Sequence, residues 1–362
     1  MARTILYFGE NMSENVEHLS FTSRLRQVLL TPTVGPFIAL LIACIFFTTR
    51  TDRFLSGPNF SLILQQSGWI AVLAIGQTLI ILTAGIDLSV GAVMTLGSVI
   101  MVGIAANNHV NPYLAVLAGF AVTGGFGLLN GLLVTQLRLP PFIVTLGTLN
   151  VAFALTLIYT VETVVAPTQQ TFFGNTFVIG GKVVTYSLTM LAPDHWISLV
   201  TFVIGGTAFT YGTVAMLILF LVMWFVLRET PFGRHIYAIG NNPEAARLAG
   251  ISTDRLLIAV YTLAGIFCGF AGLLLIGRTG VGDPNAGQTA NLDSITAVVL
   301  GGTSLFGGRG NVLGTLVGSL IVGVFRNGLQ LMGIPSIYQV LITGILVIVA
   351  VSVDQLSQRA KG

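Results

Sequence analysis

A single carboxylate, Asp87, stands in "TAGIDLSVGAVM", with no charged residue for 33 positions before it, Phe54 to Ile86, or for 50 after it, Leu88 to Leu137. In a bilayer core every backbone N–H and C=O must be satisfied within the protein. Uncharged runs of this length therefore fold as membrane helices, and an ionisable side chain among them is costly. The rest of the chain agrees. Of 362 residues, 54% are hydrophobic and 8% charged, where a soluble domain carries roughly 25% charged residues. The 43 glycines suit close approach of helices. The net charge of +3 comes from basic residues scattered between apolar segments, which argues against a nucleic-acid surface. Cys44 and Cys268 fall in apolar runs and read as small buried hydrophobes. His109 and His195 have no cysteine or acid at ligand spacing, so neither a metal nor a cofactor is expected.

About 20 apolar residues cross the hydrocarbon core. That length predicts an all-α polytopic membrane protein of about ten transmembrane helices, eight at the fewest. The spans are 28–49, 69–83, 88–106, 112–136, 140–161, 213–227, 256–276, 295–306, 312–330 and 337–353. Two of them, 69–83 and 295–306, are short and are expected to be half-helices that end at membrane depth. A polar tail, 1–27, precedes the transmembrane domain 28–353, and a second tail, 354–362, follows it. With the N-terminus inside and ten crossings, both termini are cytoplasmic. The 16 Lys and Arg then divide 11 inside to 5 outside, Arg326 among the latter, as the positive-inside rule asks. Two connections are long. The outer loop 162–212 is expected to hold a short hairpin in "TQQTFFGNTFVIGGKVVTYS" and an interfacial or re-entrant stretch in "APDHWISLVTFVIGG". The inner loop 228–255 carries four arginines. Gly127 and Gly131, Gly265 and Gly269, and Gly314 and Gly318 have the spacing of helix-packing pairs.

The inner loop contains "NNPEAARLAGI", a short helix with both ends marked. Asn242 can cap it, Pro243 fits its first turn, and Glu244 sits at the positive end of its dipole. Ala245 and Ala246 favour helix, and Gly250 ends it. So short a helix is not stable alone. It is either a solvated connector or a helix that docks on a cytoplasmic partner.

The sequence "EAARLAGI" resembles the Glu-Ala-Ala-x-x-x-Gly coupling loop of ABC-transporter permeases. "LTAGIDLSVGAVMTLGS", "PPFIVTLGT" and "AVVLGGTSLFGGRGNVLGT" resemble stretches of the ribose-type monosaccharide permeases, so the likeness runs through nearly the whole chain. The resemblance implies the translocation subunit of a binding-protein-dependent sugar importer in a bacterial inner membrane. It would pair with a second permease copy or paralogue, bind two cytoplasmic ATPase subunits and receive a pentose or hexose, such as ribose or fructose, from a periplasmic sugar-binding protein. Asn242, Pro243, Glu244, Ala245, Ala246 and Gly250 would couple it to the ATPase. Independently, the chain has no G-x-x-x-x-G-K-[S/T] phosphate loop, so ATP hydrolysis is expected on another chain.

Three roles are open to Asp87: a cap on the helix that follows it, a group lining a sugar path together with Ser89, or a proton relay. Gln77, Asn130, Thr145, Thr148 and Asn150 also lie inside spans. They are uncharged donors and acceptors of the kind a sugar path needs, and equally of the kind that joins helices. Phe142 and Phe153 are candidates to stack on a sugar ring. The alternatives are an ABC permease for another small metabolite and a proton-coupled secondary transporter using Asp87. The second should show more paired ionisable residues at depth. No Ser–His or His–acid constellation supports an intramembrane enzyme.

Overall fold

Helix is the one regular structure among the described residues of the computed structural model, which are 34–107, 111–163, 210–279, 282–335, 337–345, 348 and 352. The two tails, His109, His195, and the hairpin and interfacial stretch expected in the outer loop lie outside them, as do the first six residues of the first span, 28–33, and six of the tenth, which is helical over 337–345. The helices are α1 Val34–Arg50, α2 Gly57–Leu82, α3 Val90–Asn107, α4 Pro112–Gln136, α5 Pro141–Thr163, α6 Tyr211–Glu229, α7 Pro231–Asn241, α8 Pro243–Leu248, α9 Thr253–Thr279, α10 Ala290–Leu300 and α11 Val312–Leu331. Six of them, α2, α4, α5, α6, α9 and α11, are long and apolar enough to cross a membrane, and α1, α3 and α10 are shorter apolar helices. The chain is thus a polytopic, all-helical membrane protein.

One expected half-helix is a full one. The segment begun at residue 69 by hydropathy starts at Gly57, behind the Ser56 cap and with Pro58 in its first turn. Asn59, Ser61, Gln65, Gln66 and Ser67 hid this part of it. Those polar groups are tolerated because they face other helices: Asn327 on α11 donates its side-chain amide to Asn59 Oδ1 at 2.8 Å, and Asn59 Nδ2 donates to the Phe54 carbonyl at 2.9 Å. The other short segment, α10, is 11 residues long and does stop short of a full span.

α2 runs through the centre of the bundle, packed by α9, α11, α10 and α6, while α4 lies along α9. Missing side chains make these contacts close. A Cβ on Gly265 of α9 would fall 2.3 Å from the Thr123 carbonyl and 3.0 Å from Gly127 Cα on α4. A Cβ on Gly318 of α11 would fall 1.9 Å from the Ala297 carbonyl on α10. The glycine pairs seen in the sequence therefore sit at helix crossings, where their lack of a side chain lets backbones touch. α5 and α6 present the opposite character, with Leu146, Leu155, Leu217, Ile218 and Leu221 exposed on faces that suit lipid or a partner chain.

Two charges within the bundle pair with each other. Arg326, counted with the outer-side charges in the sequence, sits within α11 and forms an ion pair with Asp293 of α10, which is fully buried. The same guanidinium donates to Thr289 Oγ1 at 3.0 Å, and Thr289 in turn donates to Asp293. This pairing turns into the bundle an arginine that the positive-inside count places on the outer side, at the end of the span 312–330.

Candidate functional site

Two irregular segments interrupt the helices, 83–89 between α2 and α3, largely buried, and 282–289 ahead of α10, where Gly287 is buried and Asp283, Asn285 and Gln288 are exposed. Non-helical backbone at membrane depth is tolerated where protein surrounds it or where it lines a cavity. Here the two segments meet. Asn291 Nδ2 donates to the Leu88 carbonyl at 3.4 Å. A Cβ on Gly91 would lie 2.5 Å from the Gly287 carbonyl, so glycine is required for the approach. Thr145 of α5 holds the first segment from the other side, its Oγ1 accepting the Leu88 N–H at 3.1 Å.

Between α3, α5 and the second segment lies a cavity of about 320 Å³. Leu88, Ala92, Leu149 and Phe153 give it an apolar wall. Thr95, Asn150, Thr156, Gln288 and Asn291 give it polar groups, and none of its lining residues is charged. The Thr95 and Thr156 hydroxyls donate back to carbonyls of their own helices at 2.9 and 2.8 Å, and Asn150 Nδ2 donates to the Leu146 carbonyl at 2.9 Å. The threonine oxygens and Asn150 Oδ1 remain as acceptors, and Asn150 Nδ2 keeps a second N–H to donate. An apolar wall with a few uncharged acceptors recognises hydroxyl groups set on a carbon ring.

Of the residues singled out in the sequence, Asn150 and Phe153 line this cavity. Asp87, Ser89 and Asn130 form a separate buried cluster beside it. Asp87 Oδ1 accepts from the Ser89 backbone N–H at 2.7 Å and the Ser89 hydroxyl at 2.6 Å, and Asn130 Nδ2 donates to Ser89 Oγ at 3.1 Å. Asp87 is thus not the cap residue itself. Ser89 holds that position, its carbonyl accepting the Val93 N–H, and Asp87 closes an Asx turn leading into it. Thr148 is buried and donates to the Thr145 carbonyl at 3.3 Å. Gln77 is fully buried on α2, and its side-chain amide has no hydrogen-bond partner among the described residues. Phe142 points outward, 53% exposed, and does not reach the cavity. Sequence reasoning passed over Thr95, Thr156, Gln288 and Asn291. The last two belong to "DPNAGQTANLDS", which reads as a polar connection between spans; its amides were the available signal.

The Asx turn makes a checkable prediction. Asp87→Asn keeps an acceptor at Oδ1 and should leave folding and transport largely intact. Asp87→Ala removes two hydrogen bonds to Ser89, each worth about 0.5–1.5 kcal/mol, and should lower thermal stability and membrane abundance. Thermal melts and uptake of both variants decide the matter. A stable Asn variant that no longer transports would instead make Asp87 a proton carrier.

A second arrangement occupies the end of the bundle where α2 and α6 stop. The Leu82 carbonyl accepts the Gly308 N–H at 2.9 Å. Gly240 of α7 presses on the same point: a Cβ there would fall 1.8 Å from the Leu82 carbonyl oxygen and 2.5 Å from Gly308 N. The Tyr237 hydroxyl donates to the Gly310 carbonyl at 3.0 Å; burial pushes the phenol above its usual pKa and keeps it a donor. Beyond α7, Asn242 Oδ1 accepts the Ala245 N–H at 3.0 Å to cap α8, Pro243 opens that helix, and Gly250 turns the chain at φ +85°. Ala246 is buried, Glu244 pairs with Arg247 at 3.0 Å, and Leu248 is 85% exposed.

Comparison with known proteins matches these features. Residues 59–351 fit the family model described as branched-chain amino acid transport system / permease component. The chain is 44% identical over 332 residues to the fructose import permease protein FrcC of Rhizobium meliloti, covering 90% of this chain and 85% of that one. It is 38% identical to the ribose import permease protein RbsC of Bacillus subtilis, covering 89% and 92%. It is 32% identical to the galactose/methyl galactoside import permease protein MglC of Haemophilus influenzae, covering 90% and 94%. No solved structure matches. With a family model over most of its length and relatives aligned nearly end to end, the chain belongs to this ABC permease family and is a permease subunit, not itself catalytic.

Proposed function

We propose that the chain is the translocation subunit of an ATP-driven monosaccharide importer in a bacterial inner membrane, carrying a pentose or hexose of the ribose and fructose kind. The observation that carries the reading is the uncharged, acceptor-bearing cavity between α3, α5 and the segment before α10. The family description names branched-chain amino acids, but such a substrate brings an ammonium and a carboxylate into the site. The lining residues offer no charge to meet them, and an unpaired charge is expensive away from water. A neutral sugar carries no such cost. The relatives' names, fructose, ribose and galactose permeases, point the same way.

Coupling runs through the packed end of the bundle. α8, with Asn242 to Ala246, Gly250 and the exposed Leu248, docks on an ATPase subunit on the cytoplasmic side. Gly240 and Tyr237 of α7 transmit its position to Leu82 and to the loop ahead of α11. From Leu82 the chain enters the Asx turn at Asp87 and then the cavity wall at Leu88. A nucleotide state that holds the docking helices in one arrangement then favours one arrangement of the broken segments, since only differential binding shifts a conformational equilibrium. A second copy or paralogue supplies the other half of the path, a periplasmic binding protein delivers the sugar, and both termini are cytoplasmic.

Asn150→Ala and Gln288→Ala test the cavity. Each removes one hydrogen-bonding group, worth about 0.5–1.5 kcal/mol, so uptake should change up to about tenfold in KM or in preference between ribose and fructose, with stability unaltered. Wild-type uptake of both sugars by both variants would remove the cavity from the route.

A further inference from the structure

Apart from the cavity described above, the end of α6 and the starts of α7 and α11 enclose a space of about 390 Å³ lined by Trp224, Arg228, Arg234, Tyr237 and Asn311. The Arg228 guanidinium lies over the Trp224 ring, 5.2 Å from its centroid, and its Nε pairs with Glu229 at 3.1 Å. Arg234 Nη1 reaches only the Glu229 backbone carbonyl, at 3.4 Å. One carboxylate thus stands against two exposed guanidiniums, and the space keeps a net positive charge. Asn311 caps the 20-residue α11, so the positive end of that helix adds to the same wall. The α6 turns leading up to the space expose Leu217, Ile218, Leu221 and Phe225, a surface made for hydrocarbon. Trp224 sits where that surface gives way to charge, as tryptophans do at the headgroup level.

We infer that this space binds the phosphate headgroup of an anionic phospholipid, with its acyl chains along the exposed face of α6. The phosphate diester meets two arginines and a helix N-terminus, and the glycerol backbone lies against Trp224. The site is independent of which substrate the cavity carries, and it needs only that the bundle be embedded in a membrane.

Tryptophan quenching tests it on the full chain in phosphatidylcholine nanodiscs. The fraction of quenching that disappears in Trp224→Phe reports this position. Brominated phosphatidylglycerol should quench that fraction at a mole fraction at least about tenfold lower than brominated phosphatidylcholine, given two arginines near one phosphate. Arg228→Gln with Arg234→Gln should abolish the preference while brominated phosphatidylcholine still quenches the Trp224 fraction as it does in the unaltered chain. Equal quenching by the two lipids, or a preference that survives in the double variant, overturns the inference. Displacement by millimolar inorganic phosphate would make it a free-anion site. Loss of quenching on assembly with the ATPase subunits would make it a protein contact. Either result also overturns the lipid assignment.

Discussion

Arg326→Ala should leave Asp293 fully buried without a cation and destabilise the protein by about 3–5 kcal/mol. Breaking a buried ion pair by removing one partner costs more than removing both. The double variant Asp293→Asn, Arg326→Ala should therefore recover much of the loss, and Asp293→Asn alone should be milder, because Arg326 is partly exposed and its long side chain can turn toward water. Thermal stability and membrane abundance of the three variants measure this order. Additive losses, with the double variant the worst, would show that the pair contributes nothing beyond its separate residues. The pair bears on the proposed sugar path because α10 follows directly on the cavity wall. Thr289 and Asp293 fix the segment that carries Gln288 and Asn291.

Gly240→Val should separate transport from ATP hydrolysis. Even a Cβ would overlap the Leu82 carbonyl and disturb its hydrogen bond to Gly308. Overpacking typically costs about 1–3 kcal/mol. The strain is relieved most easily by moving α7, an 11-residue helix too short to span the bundle. The expected result is a complex that assembles and hydrolyses ATP but takes up little sugar. Wild-type uptake by this variant would mean that α7 does not transmit the docking helix's position to Leu82.

The fold was legible in the sequence where chemistry is one-dimensional. Long uncharged runs fixed most of the helices to within a few residues. Asn242, Pro243 and Gly250 marked the two ends of α8, because caps and left-handed turns are local requirements. The start of α2 was missed for the opposite reason: Asn59, Gln65 and Gln66 look like loop residues until Asn327, far along the chain, supplies a partner for Asn59. Asp293 and Arg326 likewise look like ends of spans, and only the packing of α10 on α11 makes them a pair. In the cavity, Asn150 and Phe153 stood out because they interrupt or punctuate an apolar helix. Gln288 and Asn291 did not, since their segment folds back into the bundle and no local pattern in it encodes that return. Asp87 was visible as an anomaly, yet its role depended on Ser89 two residues on, which takes the cap position itself.

The claim that this permease subunit imports a neutral sugar at the expense of ATP is tested most directly in proteoliposomes containing the permease, its ATPase subunits and a loaded binding protein. Labelled ribose and fructose should be supplied in parallel. Uptake of at least one sugar should require ATP and the binding protein, and it should continue undiminished when a protonophore collapses the proton gradient. Uptake that proceeds without ATP and stops with the protonophore would contradict the account and make the chain a proton-coupled carrier.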